Sequence, residues 1–184
     1  MARPLRLDDD RLFPVEPGIR GVAKELYAEI RSLPIISPHG HTDPSWFSTD
    51  AAFTNAADLL VAPDHYLLRM LYSQGVPLEA LRAPDRNGEV SVEPREAWRT
   101  FATHAHLFRG TPSAIWLDYV FAEVFGLDVR LEAKTADHYF DAIGAALATP
   151  AFRPRALFDR FGIELLATTE GPTDSLEHLS LIHI

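Results

Sequence analysis

Only two segments of this chain read as β-strands, and a long run of helical pattern separates them. The first is the short apolar run Leu33-Pro34-Ile35-Ile36, which leads through Ser37-Pro38 into His39-Gly40-His41. The second is Ile163-Glu164-Leu165-Leu166-Ala167-Thr168-Thr169, which ends in Glu170-Gly171-Pro172-Thr173. Short apolar strands set among helices mark an α/β chain. The 184 residues suffice for one ordinary domain with a core, yet an eight-stranded α/β barrel takes about 250 residues and at least about 200. The alternatives are a small α/β fold or the front part of a larger protein. Asp174-Ser175-Leu176-Glu177 has the form of a capping box. A helix opening there, so near Ile184, favours the front part of a larger protein.

Helices are expected where apolar residues recur at helical spacing between start and stop signals. Val22, Leu26, Tyr27 and Ile30 give one over Gly18–Arg31, just before the first strand. Others are expected over Asp64–Ser73, Pro94–Leu107, Ser113–Phe125, Thr135–Leu147 and Arg155–Arg160, several of them closed by glycine. Pro38 and Pro44 bracket the two histidines and stiffen the loop that carries them.

Composition narrows the partners. The net charge is −9 with no basic cluster, which excludes nucleic acid and an anionic membrane surface as natural partners. No apolar run approaches the roughly 18 residues that span a bilayer, and Met1–Asp10 lacks the apolar core of a secretory signal. Cysteine is absent, so disulfides and thiolate metal sites are excluded. The expectation is a cytoplasmic protein.

The densest chemistry lies at His39-Gly40-His41. Side chains two apart on a strand share a face, so this pattern at a strand's carboxyl end aims two imidazoles at one point. Two converging neutral imidazoles suit zinc or manganese. The plainer alternative is a pair of surface histidines flanking a turn glycine. A second set is Asp64-His65-Tyr66-Leu67-Leu68-Arg69. Asp64 suits an N-cap, with His65 and Tyr66 in the first turn and Arg69 one turn beyond His65. A hydroxyl, an imidazole and a guanidinium so placed can hold a polyhydroxy carboxylate; a capped surface helix is the alternative. His104 and His106 fall within a predicted helix, where residues two apart diverge by about 200°, and read as structural. His138 reads as a packing or surface residue, and His178 and His183 lie in the tail. Thr168 and Thr169 are candidates for the rim of a site at a strand end. Trp46, Trp98 and Trp116 read as core or interdomain aromatics. The motifs of nucleotide binding, serine hydrolysis and helical zinc proteases are absent.

Together these blocks resemble the uronate isomerase (glucuronate isomerase) family of the amidohydrolase superfamily. Residues 33–44 are similar to its opening strand, and Phe53-Thr54-Asn55 to Leu60 with Pro63-Asp64-His65-Tyr66 and Arg69 to its D-H-Y helix. Arg109-Gly110-Thr111-Pro112, Trp116 and Phe125-Gly126 are similar to its middle helices. Leu166 to Pro172 with Ser175-Leu176-Glu177-His178 is similar to its T-T-(D/E)-x-P and S-L-E-H segment. The likeness ends after His178, since the family commonly has another histidine where Leu179 stands, and 179–184 read as a divergent, foreign tail.

The resemblance implies the N-terminal part, residues 1–178, of a TIM-like (β/α)8 metal-dependent hydrolase barrel, incomplete. It places a strand near 33–39, a helical insertion at about 45–160 and a second strand at about 163–169. It implies interconversion of D-glucuronate with D-fructuronate and of D-galacturonate with D-tagaturonate. It assigns His39 and His41 to a divalent metal, zinc or else manganese, Tyr66 to catalysis, and His65 and Arg69 to substrate binding. Family members are more than twice this long, so this piece alone is expected to be inactive; the resemblance leaves open a homo-oligomeric parent. Two other readings remain: a metal-dependent hydrolase of the same superfamily, and a non-catalytic helical interaction module.

Overall fold

The computed structural model describes residues 2–179. The helices are α1 (Pro17–Ile30), α2 (Pro44–Thr49), α3 (Ala56–Leu60), α4 (His65–Ser73), α5 (Pro94–His104), α6 (Pro112–Tyr119), α7 (Ala136–Leu147) and α8 (Pro154–Arg160). The strands are β1 (Ile35–Ser37) and β2 (Ile163–Leu166). The chain forms two compact units, one from the stretches Met1–Leu7 and Phe53–Ala148, the other from Asp8–Ala52 and Thr149–Ile184.

The first unit is helical and holds the aromatic core. Trp98, Phe101, Tyr139 and Ile143 are fully buried, and α5 packs on α7 and α3. The Trp98 indole donates to the Ala136 carbonyl at 3.0 Å, and the Tyr139 hydroxyl donates to the Val129 carbonyl at 2.5 Å. Burial holds the Tyr139 phenol well above its ordinary pKa, so it remains a donor. Truncating a tryptophan or phenylalanine in such a cluster costs about 3–5 kcal/mol. On the solvent side, Arg99 forks onto Asp137 at 2.9 and 3.0 Å, and Arg95 reaches Asp137 and Asp141. The N-terminal segment is stitched on by an antiparallel bridge between Pro4 and Val129.

The second unit carries the strands. β1 and β2 pair in parallel, Ile35 opposite Ile163, Ile36 opposite Leu165 and Ser37 opposite Leu166. Both are shorter than the sequence suggests, and proline explains it. Pro34 and Pro38 have no N–H to give the ladder, so β1 holds three residues. After Ala167 donates to the Ser37 carbonyl at 2.8 Å, β2 has no strand left to pair with, and 167–169 continue as irregular chain.

Several expectations change. The apolar stripe of α1 is exposed: Val22, Leu26, Tyr27 and Ile30 are each more than half accessible. The expected helix Pro94–Leu107 is α-helical only to His104 and tightens to a 3₁₀ turn over Ala105–Phe108. The expected helix Ser113–Phe125 widens to a π turn at Val120–Val124. No helix opens at Asp174. Leu176 takes a left-handed φ of 55°, which a helix excludes, and the Asp174 carboxylate accepts backwards from the Gly171 N–H at 2.6 Å. Of the divergent tail, the part beyond Leu179, with His183, lies outside the described residues. No described helix is long and apolar enough to cross a membrane.

Candidate metal and substrate site

His39 and His41 follow β1 rather than ending it: Ser37 is the last strand residue, and both histidines sit in the exposed loop before α2. Strand alternation is therefore not what makes them converge. Their Nε2 atoms are nevertheless 3.3 Å apart, with the rings nearly perpendicular at 84°. Two nitrogens each about 2.0–2.1 Å from a tetrahedral zinc stand about 3.3–3.4 Å apart, so the pair has the bite of two ligands on one ion. Among the described residues no group of three or more histidine, cysteine, aspartate or glutamate side chains joins into a metal cluster. What is present fits half of a site.

The loop takes this shape because the chain following β2 grips it. A Cβ on Gly40 would stand 3.2 Å from the Ala167 carbonyl oxygen, so any larger residue would crowd the two backbones at this approach. The Thr169 hydroxyl donates to the Gly40 carbonyl at 2.8 Å and lies 3.4 Å from Nδ1 of His39. Ser37 donates to the His39 carbonyl at 3.2 Å. Downstream, Asp43 caps α2 by accepting from the Ser45 N–H at 2.8 Å. The Arg155 side chain on α8 holds the far end of α2 through the carbonyls of Phe47 and Ser48. Thr169 is legible in the sequence as a rim candidate, whereas nothing in the sequence marks Arg155.

The D-H-Y set lies in the helical unit. The Asp64 carboxylate accepts from the N–H groups of Tyr66 and Leu67 at 2.8 and 3.1 Å, which starts α4 at His65. Leu67 and Leu71 point into the core and are fully buried; burying a leucine contributes about 1.5–3 kcal/mol. That rotation leaves His65, Tyr66 and Arg69 on the exposed side. The rings of His65 and Tyr66 lie 4.2 Å apart, and the Arg69 guanidinium stands 6.0 Å from the Tyr66 ring centre, at the limit of a cation–π contact. The phenol, an imidazole and a guanidinium thus form one exposed polar patch.

The remaining described histidines make local packing and hydrogen-bond contacts. His104 and His106 direct Nδ1 to the carbonyls of Thr100 and Thr103 at 2.8 and 3.2 Å, with ring centres 6.5 Å apart. His138 meets the edge of Tyr139, and His178 lies 3.0 Å from the Ser48 hydroxyl. Trp98 is core as expected, while Trp116 is 45% exposed.

A family profile described as glucuronate isomerase matches residues 19–183. The chain belongs to the glucuronate isomerase family. It is 64% identical over 182 residues to a uronate isomerase of Caulobacter vibrioides (strain NA1000 / CB15N), covering 99% of this chain and 37% of that protein. It is 64% identical over 178 residues to a uronate isomerase of Phenylobacterium zucineum (strain HLK1), covering 97% of this chain and 37% of that protein. The crystal structure of glucuronate isomerase from Caulobacter crescentus superposes with a TM-score of 0.94 over 98% of this chain and 38% of that one, at 64% identity. A Thermotoga maritima uronate isomerase structure, 24% identical, shares the fold with a TM-score of 0.81, covering 96% of this chain and 36% of that one. The chain thus spans little more than a third of the length of these glucuronate isomerase relatives.

Proposed function

We propose that this chain provides the opening strands and half of the active site of a metal-dependent uronate isomerase. The reaction is an aldose–ketose interconversion of D-glucuronate with D-fructuronate, and of D-galacturonate with D-tagaturonate, in the cytoplasm. In this reading β1 and β2 are the first two strands of a (β/α)8 barrel, and α2–α8 form an insertion between them. The observation that carries it is the 3.3 Å spacing of the His39 and His41 Nε2 atoms, at the carboxyl ends of two parallel strands, where α/β barrels hold their chemistry.

The isomerisation moves one proton between C2 and C1 while the carbonyl and hydroxyl exchange places. His39 and His41 would hold a divalent metal, zinc or manganese, which would supply Lewis acidity toward the substrate oxygens. Tyr66, whose phenol is 64% exposed, assists the movement of a proton at a substrate hydroxyl. Arg69 offers a planar fork to the uronate carboxylate. His65, tilted at 34° against the Tyr66 ring, orients a hydroxyl or the carboxylate of the sugar acid. The further metal ligands and the remaining acid–base group belong to segments beyond this one.

The test uses a family-length protein carrying this sequence, assayed with D-glucuronate and D-galacturonate before and after chelation. Metal-dependent turnover that disappears in both His39→Ala and His41→Ala supports the reading. Hydrolysis of an amide or ester with no isomerisation would replace it with the superfamily's hydrolase chemistry. Neither isomerisation nor hydrolysis, with no metal uptake in the wild type or the double histidine variant, would leave a non-catalytic helical module.

A further inference from the structure

A neutral imidazole carries one ring proton, and only the nitrogen without it can take a metal. At His39 the group facing Nδ1 decides which nitrogen that is. The facing group is the Thr169 hydroxyl, 3.4 Å away. The same hydroxyl lies 2.8 Å from the Gly40 carbonyl oxygen. A carbonyl oxygen only accepts, so the single hydroxyl proton is committed to Gly40, and Thr169 presents its lone pairs to His39. Nδ1 is then the donor and carries the proton. Nε2 is left bare, and at 3.3 Å it accepts from the Nε2–H of His41, the proton that a cation would displace.

We propose that Thr169 is a positioning residue that locks His39 in its Nδ1–H tautomer and so presents Nε2, ready-made, to a divalent cation. Metal-binding histidines generally need such a partner on the second ring nitrogen. Here it comes from the other strand's end, 130 residues away in sequence. The close approach of Gly40 to the Ala167 carbonyl oxygen and the Ala167 hydrogen bond to Ser37 set the distance between Thr169 and the loop. Thr169 thereby ties the loop after β1 to the chain leaving β2. The cation-binding consequence rests on the metal reading above, while the tautomer does not.

The deciding measurement is ¹⁵N NMR of histidine-labelled, metal-free chain at a pH above the ordinary imidazole range, with His39 assigned by the signals that vanish in His39→Asn. The expected spectrum has a protonated, pyrrole-type Nδ1 and a bare, pyridine-type Nε2. Thr169→Val should shift His39 towards the other tautomer and weaken zinc binding, followed by calorimetric titration, about 10–100-fold. Thr169→Ser should restore both. A wild-type His39 protonated at Nε2 overturns the proposal without recourse to any variant. So does a Thr169→Val chain whose tautomer and zinc affinity match the wild type. The Nδ1–H tautomer in a family-length protein carrying this sequence that nevertheless takes up no zinc supports the Thr169 hydrogen bond and overturns the metal reading of the pair.

Discussion

The Nε2 atoms of His39 and His41 face each other at 3.3 Å across a glycine whose own backbone is pressed against the chain leaving β2. The convergence is a property of two strands together, since the histidines lie beyond the last residue of β1. Divalent-metal affinity should therefore fall when either imidazole is removed. His39→Ala and His41→Ala are each expected to lose at least about tenfold, or about 1.4 kcal/mol, in zinc titration. Because both side chains are exposed, neither change should move the unfolding midpoint by more than about 0.5 kcal/mol equivalent.

Gly40→Ala tests the close approach from the other side. The added methyl would stand 3.2 Å from the Ala167 carbonyl oxygen and 3.7 Å from Leu166 Cδ1. Backbone must give, since the nearest atom is a carbonyl oxygen and not the end of a flexible side chain. A stability loss of about 1 kcal/mol and a weaker metal titration are expected together. A change in stability with unaltered zinc affinity would separate the loop's shape from its role.

Much of this was legible in the sequence because the signals are local. Asp64 ahead of an apolar helical pattern marks the start of α4 to within a residue, since a cap needs only its own turn. Pro34 and Pro38 likewise announce short strand ends, although the sequence pattern alone extends β2 to Thr169. What escaped is non-local. The box at Asp174 has the residues of a helix start, yet the left-handed Leu176 shows that composition at four positions does not make a helix. The bridge from Pro4 to Val129 and the grip of Arg155 on α2 depend on which surfaces meet, and a period or a motif carries no record of that. The histidine pair converges through a clamp from the chain after β2 rather than through alternation along β1, which ends at Ser37.

Tyr66 and Arg69 should separate in kinetics on a family-length protein. Tyr66→Phe keeps the ring against His65 and removes only the hydroxyl, so kcat is expected to fall about 10²–10⁴-fold with little change in KM. Arg69→Ala should act mainly on KM, and Arg69→Lys should fail to restore it because a point charge cannot fork onto a carboxylate. Stability should be unchanged in all three, as the buried face of α4 is carried by Leu67 and Leu71.

The surface network of the helical unit gives a signed pH dependence. The Asp137 carboxyl is held below its ordinary pKa, chiefly by the hydrogen bond from Arg99 and further by Arg95. A carboxylate whose folded pKa is lowered contributes stability that is present above its unfolded value, about 3.9, and lost as pH falls through the folded one. Unfolding midpoints measured from neutral pH down to about pH 3 should therefore drop less steeply in Asp137→Asn than in the wild type. All three side chains are substantially exposed, so the difference should be small and should shrink with added salt.

The exposed stripe of α1 separates the segment studied alone from the same segment in a family-length protein. Val22, Leu26 and Ile30 on the helix, with Ile35, Ile36 and Leu165 on the strands, are all at least half accessible. Apolar surface of this kind in one compact unit favours association and dye binding. The 184-residue chain should bind anilinonaphthalene sulfonate and show no measurable uronate turnover, since the proposed site would have two ligands where three or four are needed. Leu26→Lys should then be nearly silent in the isolated chain, within about 0.5 kcal/mol by denaturant titration, and should reduce dye binding. In a protein of the relatives' full length, further chain covering that face would bury the same lysine without a partner. It should there cost about 3 kcal/mol or more. Equal, small effects in both contexts would mean that α1 keeps its apolar side in water even in the complete enzyme, and the strand pair would then need some other cover.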